Sequence, residues 1–177
     1  MAGTTHIMKT IYLLRHAKSS WDDSRLSDKQ RPLSGRGLKN APQMGQRFAA
    51  RGEHLERVLS SPALRALNTA QLFCEACGYP PDDIVIEPDL YFSGITSIED
   101  LICAQDDRLR ALMLVFHNPD ITYFANSIDY DFHIDNVPTC GLVRLVSDIA
   151  QWRDWTRDNT DVDYFDYPKN TGEVLRK

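Results

Sequence analysis

Cysteine is scarce in this chain of 177 residues: there are four, at positions 74, 77, 103 and 140. Thiols so few and so scattered exclude the disulfide framework of a small secreted domain. Glycine and proline number nine each, ordinary shares that exclude collagenous and low-complexity chains. No apolar stretch approaches the roughly 20 residues that a bilayer-spanning helix needs. The segment Met1–Lys9 also lacks the apolar run of a secretory signal. A cytoplasmic location without a membrane partner is therefore expected. Basic residues are in deficit, 20 Lys and Arg against 25 Asp and Glu, for a net charge of −5. General nucleic-acid binding needs a basic face for the phosphates and is not expected. A single local basic pocket for an anion remains compatible with that balance.

Hydrophobic residues make up 42% of the chain, enough to build one sizeable core. The reading is one domain over 10–167, an N-terminal extension over 1–9 and a C-terminal tail over 168–177. Strand-like and helix-like runs alternate, which predicts a layered α/β domain with a largely parallel sheet. The strands are Thr10–Leu14, Val58–Ser60, Ile84–Ile86, Ala111–Phe116 and Gly141–Val146, with a late edge strand over Val162–Tyr167. A helix begins between Ser34 and Asn40 and runs to about Ala50, with Pro42 either in its first turn or inside it. Ser61-Pro62 reads as cap and first position of a second helix that stops at Gly78. Two further helices cover Ser97–Ala104 and Pro119 to about Ser127. Cys74 and Cys77 form a CxxC, but no second Cys or His pair completes a metal site, so both read as core. Trp152 and Trp155 read as cover for the core, and the aspartate-rich run Asp154–Asp166 as a solvated connection.

Ligands of open α/β sheets bind beyond the carboxyl ends of the strands. Arg15-His16 follows the first strand, Ser60-Ser61-Pro62 with Arg65 the second, and His117-Asn118-Pro119 the strand Ala111–Phe116. Any one fragment is an ordinary turn or helix-face charge. Together they bring Arg15, His16, Arg65 and His117 to one sheet edge and describe an anion pocket. Guanidinium forks match phosphate oxygens in pairs, and the positive end of the Pro62 helix adds to the field.

These segments resemble the motifs of the histidine phosphatase superfamily, and most of all its small SixA-like phosphohistidine phosphatases. The likeness rests on Leu14-Arg15-His16-Ala17, on the run from Arg31 to Gly37 (RPLSGRG), on Ser60 to Ala70 (SSPALRALNTA), on His117-Asn118-Pro119 and on Pro138-Thr139-Cys140-Gly141. It implies a three-layer α/β/α sandwich of the phosphoglycerate mutase-like kind, a phosphohistidine intermediate, and neither metal nor organic cofactor. It makes His16 the nucleophile, Arg15 and Arg65 phosphate ligands and His117 the second histidine, with Arg31 a further ligand. Lys18, in the loop after the nucleophile, is read as steering an anion, and Trp21 as bordering the pocket.

Neutral imidazole is a good nucleophile near pH 7 once an acceptor fixes its proton on one ring nitrogen. Arginines and a second histidine then stabilise the charge on the transferring group. The sequence departs from the family where Phe116 precedes His117 and where Asp120 stands in place of a common glycine. The acidic proton donor is not obvious; Asp89 is the candidate, with Glu87 and Asp22 behind it. A missing donor favours a phosphoramidate, whose leaving group needs less help than an alkoxide. The gaps Arg15–Arg31 and Ile86–His117 are too short for a cap domain, which suits a phosphorylated protein side chain. The expected activity is a phosphatase acting on phosphohistidine in a protein. The alternatives are a phosphatase of small phosphate esters and a catalytically inactive phosphate-recognition module.

Overall fold

A computed structural model describes residues 8–129, 131–172 and 174–176. In chain order the elements are β1 (Met8–Arg15), α1 (Gly35–Ala50), β2 (Arg57–Ser60), α2 (Leu64–Cys77), β3 (Val85–Ile86), α3 (Ile95–Cys103), β4 (Ala111–Phe116), α4 (Asp120–Ile128), β5 (Leu142–Asp148), β6 (Thr160–Asp166) and β7 (Leu175–Arg176). The strands form one sheet in the order β3-β2-β4-β1-β5-β6-β7. The pairs from β3 to β1 are parallel and those from β1 to β7 antiparallel, so five of the seven strands point the same way.

The pleat explains the layers. Successive residues of a strand face opposite sides. Ile11 and Leu13 of β1 join Leu112, Leu114 and Phe116 of β4 under α3 and α4. Tyr12 and Leu14 join Met113 and Val115 under α1 and α2 on the other face. Strand β4 is buried along its whole length, as a central strand covered on both sides must be. The result is the expected α/β/α sandwich. No helix among the described residues is long and apolar enough to cross a membrane.

Several boundaries differ from the sequence reading for identifiable reasons. Strand β1 begins at Met8 rather than Thr10, because Lys9 is a buried strand residue. Its ammonium donates to the carbonyls of Asp107 and Leu109 at 2.6 and 2.7 Å and lies 5.0 Å from the centre of the Trp152 ring. The rest of the assigned extension lies outside the described residues. Ser34 caps α1 by accepting from the Gly37 amide, which leaves Pro42 inside the helix. Helix α2 starts at Leu64, not at Pro62, since Ser61 still extends the sheet by donating its amide to the Val115 carbonyl. Strand β6 is not an edge: β7, from the assigned tail, pairs along it. The aspartate run is not wholly solvated either, because Asp166 is buried and paired to Arg51 at 3.0 Å. Cys74 is buried in the core and all four thiols are free, with no metal-binding cluster among the described residues. Trp152 and Trp155 are buried in the core below α3 and α4.

Helices α1 and α2 touch closely at Gly45, where an added Cβ would overlap the Phe73 carbonyl oxygen and crowd Ala76. Gly45→Ala is expected to destabilise the protein by about 1–3 kcal/mol through overpacking, despite a gain of about 1 kcal/mol in helix propensity. Urea denaturation measures it, and an unchanged or higher midpoint would contradict the close contact.

Candidate active site

The parallel half of the sheet delivers its strand ends to one side, and there the predicted residues meet. A hollow of about 300 Å³ is lined by Arg15, His16, Lys18, Arg31, Arg65 and His117 among others. The two imidazoles stand with ring centres 5.1 Å apart. A larger hollow of about 600 Å³ lies at the opposite strand ends, beside Thr10 and Ala111. Two of its three arginines are already committed, Arg51 to Asp166 and Arg144 to Asp163, and its lining holds a single histidine, His54.

His16 sits just past β1, where the chain leaves the sheet. Its amide still bonds the Phe116 carbonyl at 3.1 Å, so the ring position is set by the sheet itself. Nδ1 lies 2.8 Å from the Ala17 carbonyl oxygen. A carbonyl only accepts, so Nδ1 carries the proton and Nε2 the lone pair. Nε2 has no protein partner among the described residues. Ala17 is held in turn: its amide donates to the Thr69 hydroxyl at 2.9 Å, and that hydroxyl donates to the Arg65 carbonyl at 2.6 Å. The loop that carries His16 and the arginine-bearing turn of α2 are thus tied together. Burial lowers the pKa of His16 to about 3; the Ala17 carbonyl opposes this, while Arg65, Arg15 and Arg31 add to it.

His117 directly follows β4 and is 1% exposed. Its Nε2 lies 2.7 Å from the Ser61 hydroxyl, which already accepts from the Ala63 amide. Ser61 Oγ keeps both its proton and a second lone pair, so it can donate to Nε2 or accept from it; in the first arrangement the ring proton stands on Nδ1. Nδ1 is buried without a partner, as are Nε of Arg15 and Nε of Arg65. These are three of the seven such atoms among the described residues. A buried donor left unpaired costs about 1–3 kcal/mol, and an oxyanion is the acceptor-only group that could satisfy several at once. Burial lowers the pKa of His117 as well, with His16 and Arg65 adding to it.

Arg15 donates to the Val137 carbonyl at 2.7 Å. Arg31 lies 3.6 Å from the centre of the Trp21 ring and donates to the Ser19 hydroxyl. Lys18 is exposed on the rim, and its carbonyl receives the Ser34 amide that starts α1.

The carboxylate at the site is Asp28, which sequence reasoning missed. It stands in a one-turn 3-10 helix, Asp28–Gln30, and accepts from Arg65 at 2.9 Å, from Arg31 at 3.1 and 3.2 Å and from the Tyr91 hydroxyl at 2.8 Å. Desolvation opposes its ionisation, but the hydrogen bonds from Tyr91 and Arg65 and the Arg65 charge hold its pKa at about 2. The expected donor Asp89 is exposed and outside the lining, in the turn Pro88–Leu90, with its amide bonded to Glu87. Asp22 lines a separate hollow beside Pro32 and Ser34. Asp120 faces the Gly94 amide rather than the pocket. Phe92 was missed too: its backbone is left-handed (φ 56°), and its ring stacks on His117 at 4.9 Å. Only the spacing of Asp28 three residues before Arg31 hinted at the first. Nothing local announces the second.

Comparison with known proteins agrees with this fold. The family description "Histidine phosphatase superfamily (branch 1)" matches residues 11–91. An uncharacterised chloroplastic protein of Arabidopsis thaliana is 31% identical over 120 residues, 67% of this chain. This chain spans about half of that relative's length, 53%. A solved structure from Agrobacterium tumefaciens assigned as phosphohistidine phosphatase SixA is 27% identical, with a TM-score of 0.77 over 90% of this chain and 98% of that one. The protein histidine phosphatase SixA complexed with tungstate shares the fold, with a TM-score of 0.73 at 20% identity over 90% of this chain and 97% of that one.

Two outcomes are expected. With both histidines neutral in the fold, the unfolded chain takes up protons first as pH drops below about 6.5. The stability is therefore complete above that pH and is lost toward pH 3, at about 1 kcal/mol per unit for each histidine. Urea midpoints at pH 7 and 5 measure the slope, and His16→Gln should make it shallower; an equal slope in the variant would refute the assignment. Asp28→Asn should tighten binding of inorganic phosphate about fivefold, since an exposed charge contact is worth about 1 kcal/mol. Titration calorimetry checks this, and weaker binding would mean that the carboxylate positions Arg65 instead of standing where an anion goes.

Proposed function

This chain belongs to the histidine phosphatase superfamily, and from that premise we propose that it is a phosphatase acting through phospho-His16, with phosphohistidine in a protein as its substrate. The observation that carries the reading is the locked tautomer of His16, lone pair outward, among Arg15, Arg31, Arg65 and His117.

In this reading the phosphoryl oxygens take hydrogen bonds from Arg15, Arg65 and Nδ1 of His117, with Arg31 as a further ligand and Lys18 at the rim. The His16 Nε2 lone pair attacks phosphorus in line as the bond to the leaving group breaks. The electron pair of that bond leaves with the departing nitrogen or oxygen. Phosphorylated His16 keeps its Nδ1 proton and carries a positive charge that the Ala17 carbonyl faces. Water then attacks the phosphorus, its proton passes to solvent, and phosphate departs with the Nε2 lone pair restored.

Three features favour a phosphoramidate on a protein. Asp28, ionised by its arginine and tyrosine partners, is a poor acid for an alkoxide, whereas an imidazole leaving group asks for less. The mouth is open, with Trp21 and Phe92 72% and 48% exposed beside it. The SixA neighbours carry that activity in their names, and one of them holds tungstate, an oxyanion that stands in for phosphate. Four free thiols suit a reducing compartment such as the cytoplasm.

Mixing the protein with a labelled phosphohistidine protein and quenching in alkali, where phosphoramidates survive, should leave label on His16. His16→Ala is expected to lose more than about 10³-fold in turnover, as nucleophile and intermediate vanish together. Retention of most activity by that variant, or label on another residue, would overturn the reading. Turnover of small esters without turnover of the phosphoprotein would overturn the substrate.

A further inference from the structure

Beside the catalytic hollow lies a second one of about 400 Å³, and Thr139 lines both. Its floor and walls come from three places: Arg36 and Asn40 of α1, the turn at Pro138-Thr139, and Tyr167 to Lys169 after β6. Each wall is anchored. Arg36 and Asn40 are one helical turn apart, on the same face. The Cys140 amide in the Pro138–Gly141 turn donates to the carbonyls of both Arg15 and His16, at 3.1 Å each. Arg47 of α1 donates to the carbonyls of Tyr167 and Pro168, at 3.1 Å each. The cleft is therefore preformed, and its size is that of a small ligand-binding pocket.

Its chemistry differs from that of the catalytic bowl. The lining is apolar at Pro138, Tyr167 and Pro168, and none of the lining residues is acidic. Arg36 and Lys169 are exposed, and no ion pair joins either to a carboxylate among the described residues. Two uncommitted cations beside an apolar floor, in a protein of net charge −5, complement an acidic segment.

We propose that this cleft is a specificity subsite that receives the polypeptide flanking the phosphorylated residue and selects for acidic side chains one or two positions away from it. The inference rests on the phosphoprotein reading and deepens it. A chain whose phosphorylated side chain enters beside His16 crosses Thr139, and each extended residue advances it by about 3.3 Å. Its neighbouring side chains then reach the cleft, where a carboxylate meets Arg36 and Lys169 while its stem lies on Tyr167 and Pro168. A small phosphate ester fills the catalytic hollow and leaves this one empty.

The test compares two synthetic phosphohistidine peptides, one with glutamates flanking the phosphorylated residue and one with alanines, against p-nitrophenyl phosphate. The wild-type protein should show a KM several-fold lower for the acidic peptide than for the neutral one. Arg36→Glu combined with Lys169→Glu should raise KM for the acidic peptide about tenfold, two reversed surface charges acting together, with kcat and the ester reaction unchanged. Equal KM for the two peptides, or a double variant that treats them as wild type does, would overturn the subsite while leaving the phosphoprotein reading in place. A double variant that loses the ester reaction equally would also overturn it, since those cations would then serve the catalytic bowl. Failure of the wild type to turn over either peptide while hydrolysing the ester would instead sink the phosphoprotein reading.

Discussion

One hydrogen bond decides what the pocket can do. A histidine among three arginines is useful as a nucleophile only if it is neutral and its lone pair points at the incoming phosphorus. The arginines favour the first condition by repelling a proton, and burial favours it more. Neither chooses between the ring nitrogens. The Ala17 carbonyl does so, and because it belongs to the main chain its position follows from the exit of β1. That exit is held by the Phe116 carbonyl on one side and by Thr69 on the other. Thr69 lies one turn after Arg65 and bonds that residue's carbonyl, so His16 and Arg65 are positioned by the same few bonds. The tautomer of His16 is here a by-product of ending a strand.

The fold was legible because its signals are strong and local. Strand Ala111–Phe116 could be read to the residue, since an unbroken apolar run of that length suits only a strand covered on both faces. Gly78 stops α2 in the left-handed conformation expected of such a residue. Errors arose where a side chain had a distant partner. Lys9 reads as a solvated leader unless one knows that two carbonyls and a tryptophan ring receive it. Ser61 reads as a helix cap, yet its amide still belongs to the sheet and the helix starts only at Leu64.

The site divides in the same way. Arg15, His16, Arg65 and His117 were found because each follows a strand or opens a helix, and parallel strands deliver such positions to one edge. Asp28 lies in a single 3-10 turn and Phe92 in a loop, neither with a period to read, and they reach the pocket only through contacts made after folding. Asp89 was favoured because it follows β3, but β3 is a two-residue exposed edge strand, and the chain beyond it turns Asp89 to solvent. Placement after a strand predicts a site only where the strand is central.

Asp28 has a consequence for life among competing ions. Cells hold abundant inorganic phosphate, and a bowl of unopposed guanidiniums would fill with it and stay filled. A carboxylate already seated on Arg65 and Arg31 sets a threshold that free phosphate must beat, and only an anion with further contacts of its own beats it easily. That selectivity comes at the expense of some grip.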